Sequence, residues 1–382
     1  MIKNKIRNPY IFATICWFFV RLFLTIIYII IYNDFTCSHF IENISVIYDN
    51  EHYINIANNG YTKTLEYAFF PLMPIIIRII GIQGAIWFNT ILSYLSCIMF
   101  TYLVTSIYKI KNNLFAIALF IFSPIQIMSF FTYTEYLLVF SSLLAIILYK
   151  KNCNKLLVGI ALGFSINSRA LGCALFFAIL LDLIYKAFLK YRETKKIIIK
   201  DVILLSFSSC MLGCIYPLYL YFQTGSLFTF MNVQYTEWNR EKTNILNIWV
   251  KAGNYTLKAI NHYKDLPIYQ ILTIFEYVLI LFLFVFCIYG IMKINKRKYR
   301  IEIIYLIIYL ILIFGSIRTS YFPLCSMYRY IFACYPFYIL FENKNEQKLI
   351  GKFDNVSFIV LVTMFGLTSI IAAFLFSHTY FY

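Results

Sequence analysis

Tyr48-Asp49-Asn50-Glu51-His52-Tyr53 puts two carboxylates and an imidazole within four residues. Such a set can act as a general base with its supports, or it can ligate a divalent cation through Asp49 and Glu51. His52, three residues after Asp49, is close enough to steer the carboxylate or to bind a phosphate. The plain alternative is a solvated, charged loop. A short way on comes Ala68-Phe69-Phe70-Pro71-Leu72-Met73-Pro74, and the stretch ends at Arg78. Glu135 stands in an otherwise uncharged turn, where it can orient a substrate, pair with an arginine or simply be solvated.

Four more cations have notable neighbours. Arg21 lies between Val20 and Leu22 inside an apolar run, Arg169 lies between two apolar runs, Arg329 stands at the end of one, and Arg240 falls in a polar stretch. A guanidinium fork matches two phosphate oxygens, and a cation inside an apolar run is costly enough to suggest function. Each has a structural alternative. Arg21 can pair with an internal carboxylate, Arg169 and Arg329 can snorkel to an interface, and Arg240 can be solvated.

The elements that must hold these residues are apolar. Of the 382 residues, 62% are hydrophobic and 13% charged, and the mean hydropathy is +0.75. A soluble domain is nearer half apolar and a quarter charged, and disorder or a coiled coil needs far more charge. The net charge of +16, from 33 Lys and Arg against 17 Asp and Glu, falls between the apolar runs, so it is not read as a nucleic-acid surface. The composition is that of an all-α polytopic membrane protein. The first apolar run, Tyr10 to Tyr32, has no small-residue cleavage site and is expected to remain as a span.

A span needs about 20 apolar residues to cross roughly 30 Å of hydrocarbon. That ruler gives about eleven spans, near 10–32, 84–108, 114–131, 133–149, 155–168, 170–189, 202–222, 267–292, 301–318, 329–342 and 356–376. The segment from Ala68 to Ile80, interrupted by Pro71, Pro74 and Arg78, is expected as a re-entrant or interfacial helix. With the N-terminus inside, 22 of the 33 basic residues fall in cytoplasmic segments, as the positive-inside rule requires. One membrane domain over 1–382 results, with long outer loops at about 33–67 and 223–266, where function concentrates. Cys37 and Cys325 fall on that outer side and can pair. Gly159 and Gly163 have the spacing of a close helix contact, and the many Tyr and Phe rings are expected mostly at lipid or interface.

Asp-x-x-His-Tyr at 49–53, Ile-Ala-x-x-Gly-Tyr at 56–61 and Ala-Phe-Phe-Pro-Leu-x-Pro-x-x-x-Arg at 68–78 together resemble the first luminal loop of the PIG-V family, the GPI mannosyltransferase 2 enzymes and their prokaryotic relatives. Thr132-Tyr133-Thr134-Glu135 is similar to the family's Tyr-Thr-Glu, Asn167-Ser168-Arg169-Ala170-Leu171-Gly172 to its Thr-Arg-x-x-Gly, and Tyr328-Arg329-Tyr330 to its late Arg-Tyr segment. The chain departs from the family at Tyr48, where Trp is usual, and Gln234 to Arg240 looks closer to the prokaryotic members.

The resemblance implies a GT-C type multi-span bundle and an inverting transfer of mannose, on the luminal face of the endoplasmic reticulum membrane. Dolichyl-phosphate mannose would be the donor and a GPI precursor the acceptor, gaining its second, α-1,6-linked mannose. A prokaryotic plasma-membrane relative would instead use a polyprenyl-phosphate sugar and another lipid-linked glycan. A small accessory membrane subunit is also implied. A lipid phosphate is already a stable leaving anion, so one base suffices where glycosidases use two carboxylates. Asp49 is the expected base. Glu51, His52, Arg78, Glu135, Arg169, Arg240, Arg329 and Arg21 are the expected substrate-binding groups, with no metal site assigned and a divalent cation left open. A lipid-linked sugar flippase would show inverted repeats and polar residues near the midplane, whereas here the polar residues gather on one face.

Overall fold

The computed structural model describes residues 8–32, 36, 40–43, 48–195, 199–262, 267–319, 322–340 and 355–376. Cys37 lies outside them. Helix α1 (Pro9–Tyr32) is followed by α2 (Asp49–Asn59), a 3₁₀ turn at Thr64–Ala68 and the long α3 (Leu72–Tyr102). Next come α4 (Asn113–Ile121), a 3₁₀ segment at Pro124–Phe130, α5 (Glu135–Lys150), α6 (Lys155–Ser168) and α7 (Cys173–Thr194). The chain continues through α8 (Lys200–Gly213), α9 (Ile215–Thr224), α10 (Thr229–Thr236), β1 (Arg240–Lys242), α11 (Ile245–His262) and α12 (Pro267–Lys293). It closes with α13 (Arg300–Ile313), β2 (Ser316–Arg318), α14 (Met327–Ala333), α15 (Pro336–Ile339) and α16 (Asn355–Phe376).

Among the described residues, four helices are long and apolar enough to cross a membrane, or up to six if each of two bent pairs counts as one span. The apolar side chains point outward as lipid contact demands. Phe18, Leu22 and Ile30 of α1 and Phe207 and Met211 of α8 are exposed, a pattern that a water-soluble bundle would invert. The chain is an all-α protein with the helices of a multi-pass membrane protein.

Several runs are less regular than their apolarity suggested. The run 68–102 breaks at Gly81, which takes φ +74°, so a short helix bearing Pro74 and Arg78 precedes the longer rod. That matches the separate helix expected after the first outer loop. The runs 114–131 and 202–222 are each bent, by 46° and 44°. The expected span at 301–318 stops as a helix at Ile313, and its end becomes a strand. The expected span at 329–342 divides into α14 and α15 around Cys334 and Tyr335, because Pro336 has no amide hydrogen and its ring disfavours helix before it. The segments expected as outer loops are structured too. α2 occupies the first, and α10, β1 and α11 occupy the second.

Gly159 and Gly163 of α6 do allow close packing. A Cβ on Gly159 would meet Ser208 Oγ at 1.9 Å, and one on Gly163 would meet Leu212 Cβ at 2.6 Å, so the glycines seat α6 on α8. The tyrosines go further inward than expected. Among the described residues, eight of the twelve largest fully buried side chains are Tyr, including Tyr136, Tyr305, Tyr309 and Tyr338, so the rings fill the core as well as its rim.

Candidate functional site

Asp49 opens α2, whose N-terminal amides favour an anion. The helix is anchored by its second residue. The buried Asn50 accepts hydrogen bonds at Oδ1 from the amide and hydroxyl of Thr132, at 3.0 and 2.8 Å. Thr132 lies in the turn that leads into α5, and Asn89 of α3 clamps the same turn by donating to the carbonyls of Phe131 and Tyr133 at 2.7 and 2.8 Å. Asp49 and Glu135 are thereby held at fixed positions by one network.

The arginines converge on these carboxylates. Arg329 Nη2 donates to Asp49 Oδ2 at 2.6 Å, and its Nε lies 3.5 Å from Glu135 Oε1. Arg169 Nη1 donates to the same Glu135 oxygen at 2.6 Å. Both guanidiniums also donate to the Tyr330 hydroxyl, at 3.0 Å from Arg329 and 3.3 Å from Arg169. Glu135 is 1% exposed and sits behind the arginines, so of the three readings open from sequence the structure shows the pairing with arginine. Burial pushes the Asp49 carboxyl up in pKa, but Arg329, Arg169 and Arg318 outweigh it and hold the group below the usual carboxylate value.

Local backbone geometry aims these groups. Tyr48, Asn239 and Ser326 all have positive φ, at 47°, 47° and 59°. They immediately precede Asp49, Arg240 and α14, whose first turn carries Arg329. Left-handed conformations at non-glycine residues cost energy and cluster where the surrounding structure dictates the geometry. Arg169 is extended at the tip between α6 and α7, and Gly172 lets that tip fold back. A Cβ there would lie 2.3 Å from the Ser165 carbonyl oxygen.

Two cavities meet at this cluster. One, of about 460 Å³, is lined by Ala170, Leu171, Phe230 and Met231 and by the end of α13. Of its lining residues, Ile311, Leu312 and Met231 are exposed and apolar. The other, of about 440 Å³, is lined by Glu51, His52, Glu237, Asn239 and Ser326 and is more polar. Asp49, Trp238, Arg240, Arg318, Arg329 and Tyr330 line both and form the junction.

The walls are tied by distant parts of the chain. Arg240 and Arg318 are register partners in the antiparallel β1–β2 pair. The carbonyls of Leu65, Tyr67 and Phe69 accept from Trp238 Nε1 at 3.0 Å, Tyr216 OH at 2.8 Å and Tyr61 OH at 2.8 Å. The Trp238 and Tyr216 bonds tie the segment after α2 to the segment before β1 and to α9, and the Tyr61 bond closes that segment on itself. His52 packs among Phe69 and Trp238, with ring centroids 4.9 and 5.6 Å away.

Asp49, Glu51, His52, Glu135, Arg169, Arg240 and Arg329 therefore all belong to the cluster or its walls. Two expected residues do not. Arg78 is exposed on the short helix and lines neither cavity. Arg21 donates to Ser129 Oγ and Thr90 Oγ1 at 2.7 and 2.8 Å and stacks on Phe130 at 3.4 Å. It ties α1 to α3 and the 3₁₀ segment through hydroxyls and a ring, and no carboxylate pairs with it among the described residues. Arg318 and Glu66 are additions. Arg318 closes the expected span 301–318, and a cation at an end expected on the outer side departs from the positive-inside bias, the signal that marks it. The buried Glu66 accepts from the amides of Thr62 and Lys63 at 2.9 and 3.0 Å and orders the turn below the cavity. Among the described residues, no group of three or more His, Cys, Asp and Glu side chains is placed to hold a metal ion. The chain matches no model of a protein family, no curated protein and no solved structure.

Proposed function

We propose that the chain is a membrane glycosyltransferase that takes a sugar from a lipid-phosphate donor. The leading form is transfer of the second mannose from dolichyl-phosphate mannose to a GPI precursor. The observation that carries the proposal is the Asp49–Arg329 pair, set where a cavity partly lined by exposed apolar residues meets a more polar one. A prenyl chain suits the first cavity and a hydroxylated acceptor the second, and the arginines of the junction suit the phosphate between them.

In this mechanism an acceptor hydroxyl oxygen attacks the sugar C1 from the face opposite the phosphate. Asp49 takes the hydroxyl proton while the C1–O bond to phosphate breaks, and the lipid phosphate leaves with the electron pair. The configuration at C1 inverts. Arg329, Arg240 and Arg318 stabilise the charge growing on the phosphate, which is worth most in a site that excludes water. Phosphate competing for Arg329 loosens that guanidinium's hold on Asp49, so the carboxylate becomes a stronger base when donor is present. Glu135 holds Arg169 and Arg329 in place during the exchange.

Transfer assays in membranes carrying wild-type chain or Asp49→Asn, given dolichyl-phosphate mannose and a one-mannose GPI lipid, test this. The two-mannose product from wild type but not from an equally abundant variant supports both the class and the base. An active variant removes Asp49 as base. Wild type inert with this pair but active with a polyprenyl-phosphate sugar moves the assignment to the plasma-membrane form. Inertness with both donors overturns the proposal.

A further inference from the structure

Helices α5 and α13 each carry chemistry at both ends, and α7 carries Asp182 and Lys186 near its middle. α5 begins at Glu135 and ends at Lys150, and α13 ends at Ile313 beside the Asp49 cluster and begins at Arg300. At 1.5 Å per residue these helices place their far ends roughly 20 Å from the cluster. There they enclose a third cavity, of about 290 Å³, lined by Lys150, Lys186, Arg297, Lys298 and Arg300 together with Asp182. This end carries the basic loops that the positive-inside rule assigns to the cytoplasm.

One buried carboxylate, Asp182, lines the cavity, and a second, Glu302, pairs with one of its lysines. Asp182 takes hydrogen bonds from Tyr149 OH at 2.6 Å and Arg300 Nε at 2.9 Å, and pairs with Lys186 Nζ at 2.9 Å. Glu302 pairs with Lys150 at 3.3 Å and accepts from the Tyr108 hydroxyl. Against five cations these leave a surplus of three positive charges. Arg297 makes no ion pair among the described residues. The first turn of α13 adds the positive end of its helix dipole. One flank is apolar and exposed, since Tyr185 lies under Arg300 at 4.2 Å and is followed along α7 by the exposed Phe188.

We propose that this cavity binds a phosphate-bearing anion from the side of the membrane opposite the Asp49 cluster. A volume of 290 Å³ holds a phosphate group with several waters, at about 30 Å³ per water. Two sources share the chemistry. One is an anionic lipid headgroup with its chains along Tyr185 and Phe188, and the other is a free phosphate compound. Basic cavities between membrane helices on the cytoplasmic side are suited to anionic headgroups. The proposal does not depend on the transfer reaction.

The test uses delipidated full-length protein in a neutral detergent. It is titrated with phosphatidylglycerol, phosphatidylcholine or inorganic pyrophosphate and followed by native mass spectrometry and thermal midpoint. One equivalent of phosphatidylglycerol, but not phosphatidylcholine, is expected to bind and raise the midpoint, and the effect should weaken with salt. Arg297→Gln with Lys298→Gln is expected to weaken binding by about thirtyfold. Both residues are exposed. Exchanging them for Lys and Arg should restore binding, and Arg240→Gln at the other end should not alter it. Binding of pyrophosphate alone, with the same variant pattern, supports a free phosphate. Binding of neither anion, or wild-type affinity in the double glutamine variant, overturns the site.

Discussion

Arg329 Nη2 and Asp49 Oδ2 lie 2.6 Å apart across 280 positions of the chain. The pair keeps Asp49 ionised, as the proposed transfer requires of its base, and keeps its proton affinity low until something else claims the guanidinium. A phosphate does this naturally, because the same fork that accepts a carboxylate accepts two phosphate oxygens. Under the proposed transfer, donor arrival would therefore raise the strength of the base.

The pH dependence follows. The folded-state pKa of Asp49 lies below its unfolded value, so the pair stabilises the protein at and above the usual carboxylate pKa near 3.9. That contribution is lost as pH falls through the depressed value. The acid limb of kcat/KM for wild type is expected below about pH 3.9. In Arg329→Gln burial weighs more against the charge, and the limb should rise by roughly 1–3 units. An unmoved limb in an active variant would show that Asp49 does not control it.

Glu135 and Arg169 form a second coupled pair, at 2.6 Å, with the carboxylate 1% exposed. Arg169→Met strands that charge with only the 3.5 Å contact to Arg329 and is expected to cost about 3–5 kcal/mol. Denaturant unfolding in detergent of Arg169→Met, Glu135→Leu and the double variant measures the coupling. The double variant should lose less than the sum of the singles, whereas additivity within about 0.5 kcal/mol would show the two to be independent.

Gly172→Ala is expected to destabilise by about 1–3 kcal/mol, because its Cβ would lie 2.3 Å from Ser165 backbone. Any relaxation shifts the tip that carries Arg169. Activity per folded molecule should therefore drop while folded protein is still recovered, and full specific activity would remove Gly172 from the positioning set.

Ser326 has φ +59° just before the helix that presents Arg329. Ser326→Gly should be tolerated, and Ser326→Val should cost about 1–2 kcal/mol from the left-handed geometry. Thermal midpoints compare them, and equal losses in both variants would point to the lost hydroxyl in place of the backbone.

Composition and patterning alone establish the solvent of this protein. A chain 62% hydrophobic, with its cations between apolar runs, can fold only as lipid-facing helices. Local spacing also picks out the chemical segments, since Asp49, Glu135, Arg169, Arg240 and Arg329 each stand out where they occur. What local spacing does not contain is the pairing. Arg21, Arg78 and Arg318 look alike as cations at or near apolar runs, yet the fold spends the first on Ser129 and Thr90, leaves the second at the surface and turns the third into the cavity. Helix breaks at Gly81, Ile313 and Pro336 likewise depend on what each segment packs against, because an apolar run satisfies the bilayer whether it is straight, bent or broken. Which guanidinium reaches which carboxylate is set by contacts between residues up to 280 positions apart, and only the packed helices bring those together.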